Sequence, residues 1–175
     1  MANREALKEL QTRLAARLQA ARSEGVAISS WLAVESAGRR LLLPLSQAGE
    51  IFPWSGVQRV PYTQPWFLGV ANLRGALRGV VDLAMLLGAA PLRTEQTLAE
   101  ASLLTLGETL EVNAALLVER LAGLRNADAF ATSEPAPESG PDYLGACYID
   151  AQGERWQEVD LQALAQHPTF LAIRS

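Results

Sequence analysis

The sequence predicts a mainly β protein of small closed barrels, led by one amphipathic helix. Three observations predict it. Beyond residue 25 the chain falls into short apolar runs broken by Gly, Pro or charged turns, a pattern of short strands with frequent turns. Two of these runs read as one unit used twice. Helical spacing of apolar residues is sustained only at the N-terminus. Many short strands with close turns favour small barrels over one open sheet.

Composition sets the outer limits. A chain of 175 residues makes one domain or two small ones. A globule of that size buries roughly 70% of its chain surface, so neither metal nor disulfide is needed to hold it. Apolar residues make up 49% of the chain, which excludes wholesale disorder. The net charge of −4 argues against nucleic acid as a partner. Cys147 is the single cysteine, so no internal disulfide forms and a reducing compartment is expected. The first 25 residues carry Arg4, Glu5, Lys8, Glu9, Arg13, Arg17, Arg22 and Glu24, which no signal peptide tolerates. No uncharged apolar run nears the length of a membrane span. A cytoplasmic protein without direct membrane insertion is expected.

Residues 1–25 form the first unit and 26–170 the second. Leu7, Leu10, Leu14 and Leu18 share one helical stripe, and Gly25 is a plausible stop. That stripe can cover this chain's own core, pair with a partner helix, or lie on a membrane surface. Strands begin at Ile28. SSWLAVES and RRLLLPLS flank a hairpin turn at Gly38. A short strand surrounds Glu50 to Phe52, and Pro61 and Pro65 bar regular structure beyond it. LGVANL and ALRGVVDL read as two strands joined at Arg74-Gly75, where glycine reaches positive φ freely. Asp82 caps a short helix that Gly88 ends. PLRTEQTLAEAS reads as a polar link, and residues 103–124 as further strand with alternation from Leu110 to Val118. The acidic, Pro-rich stretch 126–142 reads as a mobile loop.

The repeat lies between FLGVANLRGALRGVVDLAML and YLGACYIDAQGERWQEVDLQAL. Each has aromatic-Leu-Gly, a strand, a Gly turn, a second strand, then Val-Asp-Leu-x-x-Leu opening a helix. The offset is 76 residues from Phe67 to Tyr143 and 78 from Asp82 to Asp160.

Chemistry is sparse. Nucleophilic catalysis needs a nucleophile beside a base, and Cys147 with His167 is the only thiol–imidazole pair the chain offers. A buried thiol and a surface histidine explain both residues more simply. No closed zinc set, paired-carboxylate calcium loop or phosphate-binding glycine motif occurs. No catalytic, cofactor or metal residue is therefore expected. What remains is a binding module. Arginine suits an interface anchor because it joins contact area to directional hydrogen bonds, and Arg74 stands at a turn tip.

At these residues the chain resembles the CheW-like chemotaxis coupling proteins. Gly69, Val70, Asn72, Leu73, Arg74, Gly75 and Val81-Asp82-Leu83 fit the pattern G-V-x-N-L-R-G, five residues, V-D-L. Glu50-Ile51, 24 residues before Arg74, fits the E-I pair of that family. The resemblance covers residues 28–166. It implies two small five-stranded, SH3-like barrels around a shared apolar core. It implies a non-catalytic adaptor joining a CheA-type histidine kinase, through its regulatory domain, to the cytoplasmic tip of a chemoreceptor. Carried over by position, Ala48, Glu50, Gly69, Asn72, Arg74 and Gly75 fall on the receptor side, with Gly69 admitting a helix backbone. Leu45 and Ile51 fall on the kinase side. The chain departs from the family at Gly79, where proline is usual, at Arg78, where an apolar residue is usual, and at Ala48, where a larger one is usual. The leucine-striped helix, Pro65-Trp66-Phe67 and the length are similar to the PilI-type adaptors of pathways that control type IV pili and twitching motility. The competing readings are a barrel scaffold of the pilus machinery with no kinase partner and, remotely, an enzyme using Cys147 and His167.

Overall fold

A computed structural model describes residues 2–23 and 30–175. The expected helix stop at Gly25 and strand start at Ile28 lie outside the described residues. Helix α1 spans Ala2–Ser23. Its buried line is Gln11, Leu14 and Leu18, one step of three and one of four, as a helix face requires. Leu14 and Leu18 enter the central core, and Gln11 Nε2 donates to Ser102 Oγ at 2.6 Å. Of the three fates open to the stripe, the structure takes the first: it covers this chain's own core. Leu10 is left 38% exposed.

Eleven strands follow among the described residues: β1 (Ser30–Ser36), β2 (Arg39–Pro44), β3 (Ala48–Pro53), β4 (Phe67–Leu73), β5 (Ala76–Asp82), β6 (Ser102–Leu106), β7 (Ala114–Val118), β8 (Arg120–Asn126), β9 (Phe130–Glu134), β10 (Leu144–Asp150) and β11 (Arg155–Val159). Short helices α2 (Leu83–Leu86), α3 (Glu95–Ala99), α4 (Leu161–Gln166) and α5 (Pro168–Leu171) punctuate them. The strands form two sheets, ordered β3-β6-β7-β5-β4 and β8-β1-β2-β11-β10-β9.

The two orders are the same plan. Each runs antiparallel, antiparallel, parallel, antiparallel, with the parallel rung at β7/β5 in one and β2/β11 in the other, and the six-stranded sheet adds an antiparallel β10/β9 rung. Register shifts fall at matching outer pairs: β3/β6 with β1/β8, and β4/β5 with β10/β11. Such bulges bend strands and increase twist. The repeated hairpins β4–β5 and β10–β11 thus hold equivalent places. Asp82 accepts from Met85 N at 3.2 Å, and Asp160 accepts from Gln162 N and Ala163 N at 3.0 and 3.1 Å. Both act as N-caps, as the sequence predicts. One sheet is consecutive in the chain. The other begins with β1 and β2 and is completed by β8, β9, β10 and β11.

Each sheet has a private apolar cluster and a share in a common one. Leu103, Leu117, Val80 and Leu73 pack together on one face of the first sheet. Trp31, Ala33, Leu42 and Trp156 do so on the second. The opposite faces meet in one central core containing Leu32, Leu43, Leu104, Leu116 and Leu161. Two apolar interiors flank a third, which is the double-barrel arrangement expected.

Three expectations need correction. The sixth strand, β9, lies in the stretch read as a mobile loop. It is an edge strand exposed beyond Phe130, so it carries no apolar alternation to announce it. The polar link holds α3, closed by a reciprocal cap: Thr94 Oγ1 accepts from Thr97 N and Thr97 Oγ1 from Thr94 N. Threonine stands where a capping box ordinarily has Glu or Gln. The run 103–124 is three strands. A 3-10 turn at Glu108–Leu110 and a left-handed Glu111 (φ 54°) break it, and the alternation across 110–113 is fortuitous.

Asp150 anchors the private cluster of the six-stranded sheet. Burial pushes its carboxyl pKa up, but N–H groups of Glu154 and Gln152, Trp156 Nε1 and nearby Arg125 outweigh this and hold it below the ordinary value. Arg125 stacks on the Trp156 ring at 4.4 Å.

Two outcomes are expected. Leu18→Ala should cost about 2–5 kcal/mol in urea unfolding, whereas Leu10→Ala should cost well under ~1 kcal/mol; equal costs would contradict the docking of α1. A depressed folded-state pKa gives stability that is present above the unfolded carboxylate pKa of about 3.9 and is lost as pH falls below it. Asp150→Asn should therefore be less stable at neutral pH, and its unfolding midpoint should fall less steeply than that of the unchanged chain from about pH 5 to 3.

Candidate functional site

The β4–β5 turn presents Arg74. Arg74 and Gly75 are both left-handed, at φ 52° and 79°, the pattern of a tight hairpin whose twist matches its strands. Asn72 Oδ1 accepts from Gly75 N at 2.9 Å and braces the turn. A Cβ at Gly75 would meet no atom, so glycine is wanted there for its φ.

From that tip Arg74 Nη1 donates to Glu50 Oε1 at 2.9 Å, and its guanidinium lies 5.9 Å from the Phe52 ring centre. The side chains of Arg74 and Glu50 are 74% and 42% exposed. A pair this wet is worth at most ~1 kcal/mol, so it orients the arginine without locking it. Glu50 is fixed through its backbone: its N–H donates to Thr105 Oγ1 at 2.7 Å. Thr105 lies so close to Gly49 that any Cβ there would overlap it. Together these residues border an open groove of about 600 Å³, with Arg78 on one wall and Gln19 of α1 at its edge.

The other sequence candidates lie deeper. Leu45, Ala48 and Ile51 are buried in the central core, where their side chains shape the surface from beneath and offer none of it themselves. Gly69 is buried at φ 143°, and the Gln58 carbonyl occupies the place a Cβ would take. Gln58 and Val70 exchange two backbone bonds there, at 2.8 and 2.9 Å. The close approach that Gly69 allows is internal, from residue 58.

Arg93 escaped the sequence reading. Its Nε and Nη2 donate to the buried Asp82 carboxylate at 2.6 and 2.9 Å, and Nη1 to Glu119 at 2.6 Å. Burial alone would lower the Arg93 pKa; these bonds outweigh it and raise it. Only Asp82 gave a local signal, as a cap. The departure at Gly79 has a structural cause: its N–H donates to Asn113 O at 2.8 Å, a bond proline cannot make.

Cys147 and His167 are not brought together. His167 packs edge-on against Tyr143, ring centres 4.9 Å apart. Cys147 instead lines a separate groove with Arg155 and Gln157, which His167 does not border.

Comparison with known proteins follows the same lines. The family described as CheW-like domain matches residues 30–169. Protein PilI of Pseudomonas aeruginosa (strain PAO1) is 30% identical over 169 residues, covering 92% of this chain and 88% of that one. The crystal structure of the scaffolding protein TtCheW from Thermoanaerobacter tengcongensis aligns at a TM-score of 0.63 and 15% identity, over 75% of this chain and 88% of that one; at that identity it speaks for the fold alone.

Gly69→Ala should cost about 2–5 kcal/mol, strain and overlap adding. Gly75→Ala, with open space around it, should cost only about 1–2 kcal/mol. Denaturant titration of both variants checks the difference, and the reverse order would contradict the internal role of Gly69.

Proposed function

The chain belongs to the CheW-like domain family, and on that premise we propose that it is a non-catalytic adaptor coupling a CheA-type histidine kinase to chemoreceptors in a pathway controlling type IV pili. The observation that carries this reading is Arg74: an exposed guanidinium, held at the mouth of a groove by one weak ion pair. A receptor tip is a helical hairpin, with side-chain carboxylates and, where a helix ends, carbonyls for arginine to bind. Glu50, Asn72, Arg74 and Gly75 form the receptor face, supported from below by Ala48 and Gly69. The kinase regulatory domain docks over the surface that Leu45 and Ile51 underlie. The pilus assignment draws on the likeness to PilI, which spans 92% of this chain. The protein is recruited to membrane receptor arrays by these contacts; no helix among the described residues is long and apolar enough to cross a membrane.

Arg74→Glu should weaken binding to a receptor cytoplasmic hairpin at least about tenfold, or ~1.4 kcal/mol. Binding to the kinase regulatory domain and the melting temperature should not change. Normal binding of that variant to both partners would sink the site. Failure of the unchanged chain to bind the kinase domain would leave a pilus scaffold with no kinase.

A further inference from the structure

Arg78 sits in the wall of the same groove, on β5. Its Nε is fully buried and has no hydrogen-bond partner. Its single hydrogen bond is long, 3.4 Å from Nη1 to the neutral amide Oδ1 of Asn113. No carboxylate lies within 4.0 Å of it among the described residues. The contrast with the other described arginines is plain. Arg13, Arg40, Arg74, Arg93, Arg120, Arg125 and Arg155 each have an acidic partner. Arg4, Arg17, Arg39, Arg59 and Arg174 are exposed, where water serves. Arg78 alone is half withdrawn from solvent with its charge uncompensated.

An orphaned buried donor costs the desolvation of that group, and charged groups cost most. A strand residue that keeps such a cost in the free protein is poised to regain it on binding. Arg74 differs: it is exposed and shares a weak pair with Glu50, so it keeps no such desolvation cost in the free protein. We infer that Arg78 is the specificity residue of the groove: it receives an acidic side chain, Asp or Glu, from the helical hairpin of the receptor. The inference rests on the reading of the groove as the receptor site. It gives that site a chemistry, one carboxylate pointing at the wall that Arg78 forms on β5. Cation and carboxylate then pair away from water, where the bond is strong and directional.

The test uses the full chain and a receptor cytoplasmic hairpin fragment whose acidic residues are neutralised one at a time. Arg78→Met keeps the bulk and removes the charge. Its melting temperature should equal or exceed that of the unchanged chain, its affinity for the fragment should fall about tenfold, and its affinity should depend less on salt. One acidic position of the fragment should lose its effect in the Arg78→Met background, as a double-mutant cycle reads coupling. If Arg78→Met binds the fragment unchanged while Arg74→Glu does not bind, this inference fails and the adaptor reading stands. If Arg78→Met melts well below the unchanged chain, Arg78 is structural and the inference also fails. If the unchanged chain does not bind the fragment at all, both fall.

Discussion

Both faces of each sheet are buried along its central strands, and the rest of the molecule follows from that constraint. Leu42 faces a private cluster while its neighbours Leu41 and Leu43 face the common core. Leu103 and Leu104 divide in the same way, as do Leu116 and Leu117. A strand with no wet face reads as a continuous apolar run, and polar groups are pushed to hairpin tips, edges and caps. Most of the chemistry open to partners therefore lies where strands turn, and Arg78, within β5, is a charged exception in the groove wall.

The Arg74 tip is one of these places, and Asp82 shows the opposite case. Asp82 is a fully buried carboxylate, and it is tolerated because every demand on it is met: the Met85 N–H and two nitrogens of Arg93 bind it. Its counterpart Asp160 does the same capping beside Gln47, whose Nε2 donates to it at 3.0 Å. One local device, an aspartate after a strand, serves as a salt-linked pin in one half and a neutral-amide pin in the other.

How much could be read from the chain depends on how local each signal is. The hairpins at Gly38 and Arg74-Gly75 and the two aspartate caps were legible because adjacent residues decide them. Strand β9 was not, because an edge strand exposed beyond Phe130 needs no apolar pattern. Leu45, Ala48 and Ile51 were placed at surfaces by resemblance to the family, and their side chains lie in the common core because both faces of each sheet are covered. At Gly69 the group that approaches closely is Gln58, whose arrival no local rule announces. Arg78 and Arg93 owe their surroundings to Asn113 and Glu119, 35 and 26 residues away along the chain. Distances of that kind are settled by topology alone.

The interleaved strand order has a consequence for biosynthesis. Leu41 and Leu42 are paired with Gln157 and Glu158, so the leading hairpin leaves the ribosome long before its neighbour exists. Residues 48–118, by contrast, emerge with all five of their own strands in succession. The first sheet can assemble during translation, while β1 and β2 hold three consecutive leucines unmatched until the last strand arrives. A nascent chain therefore leaves that leucine run open to aggregation until β11 is made.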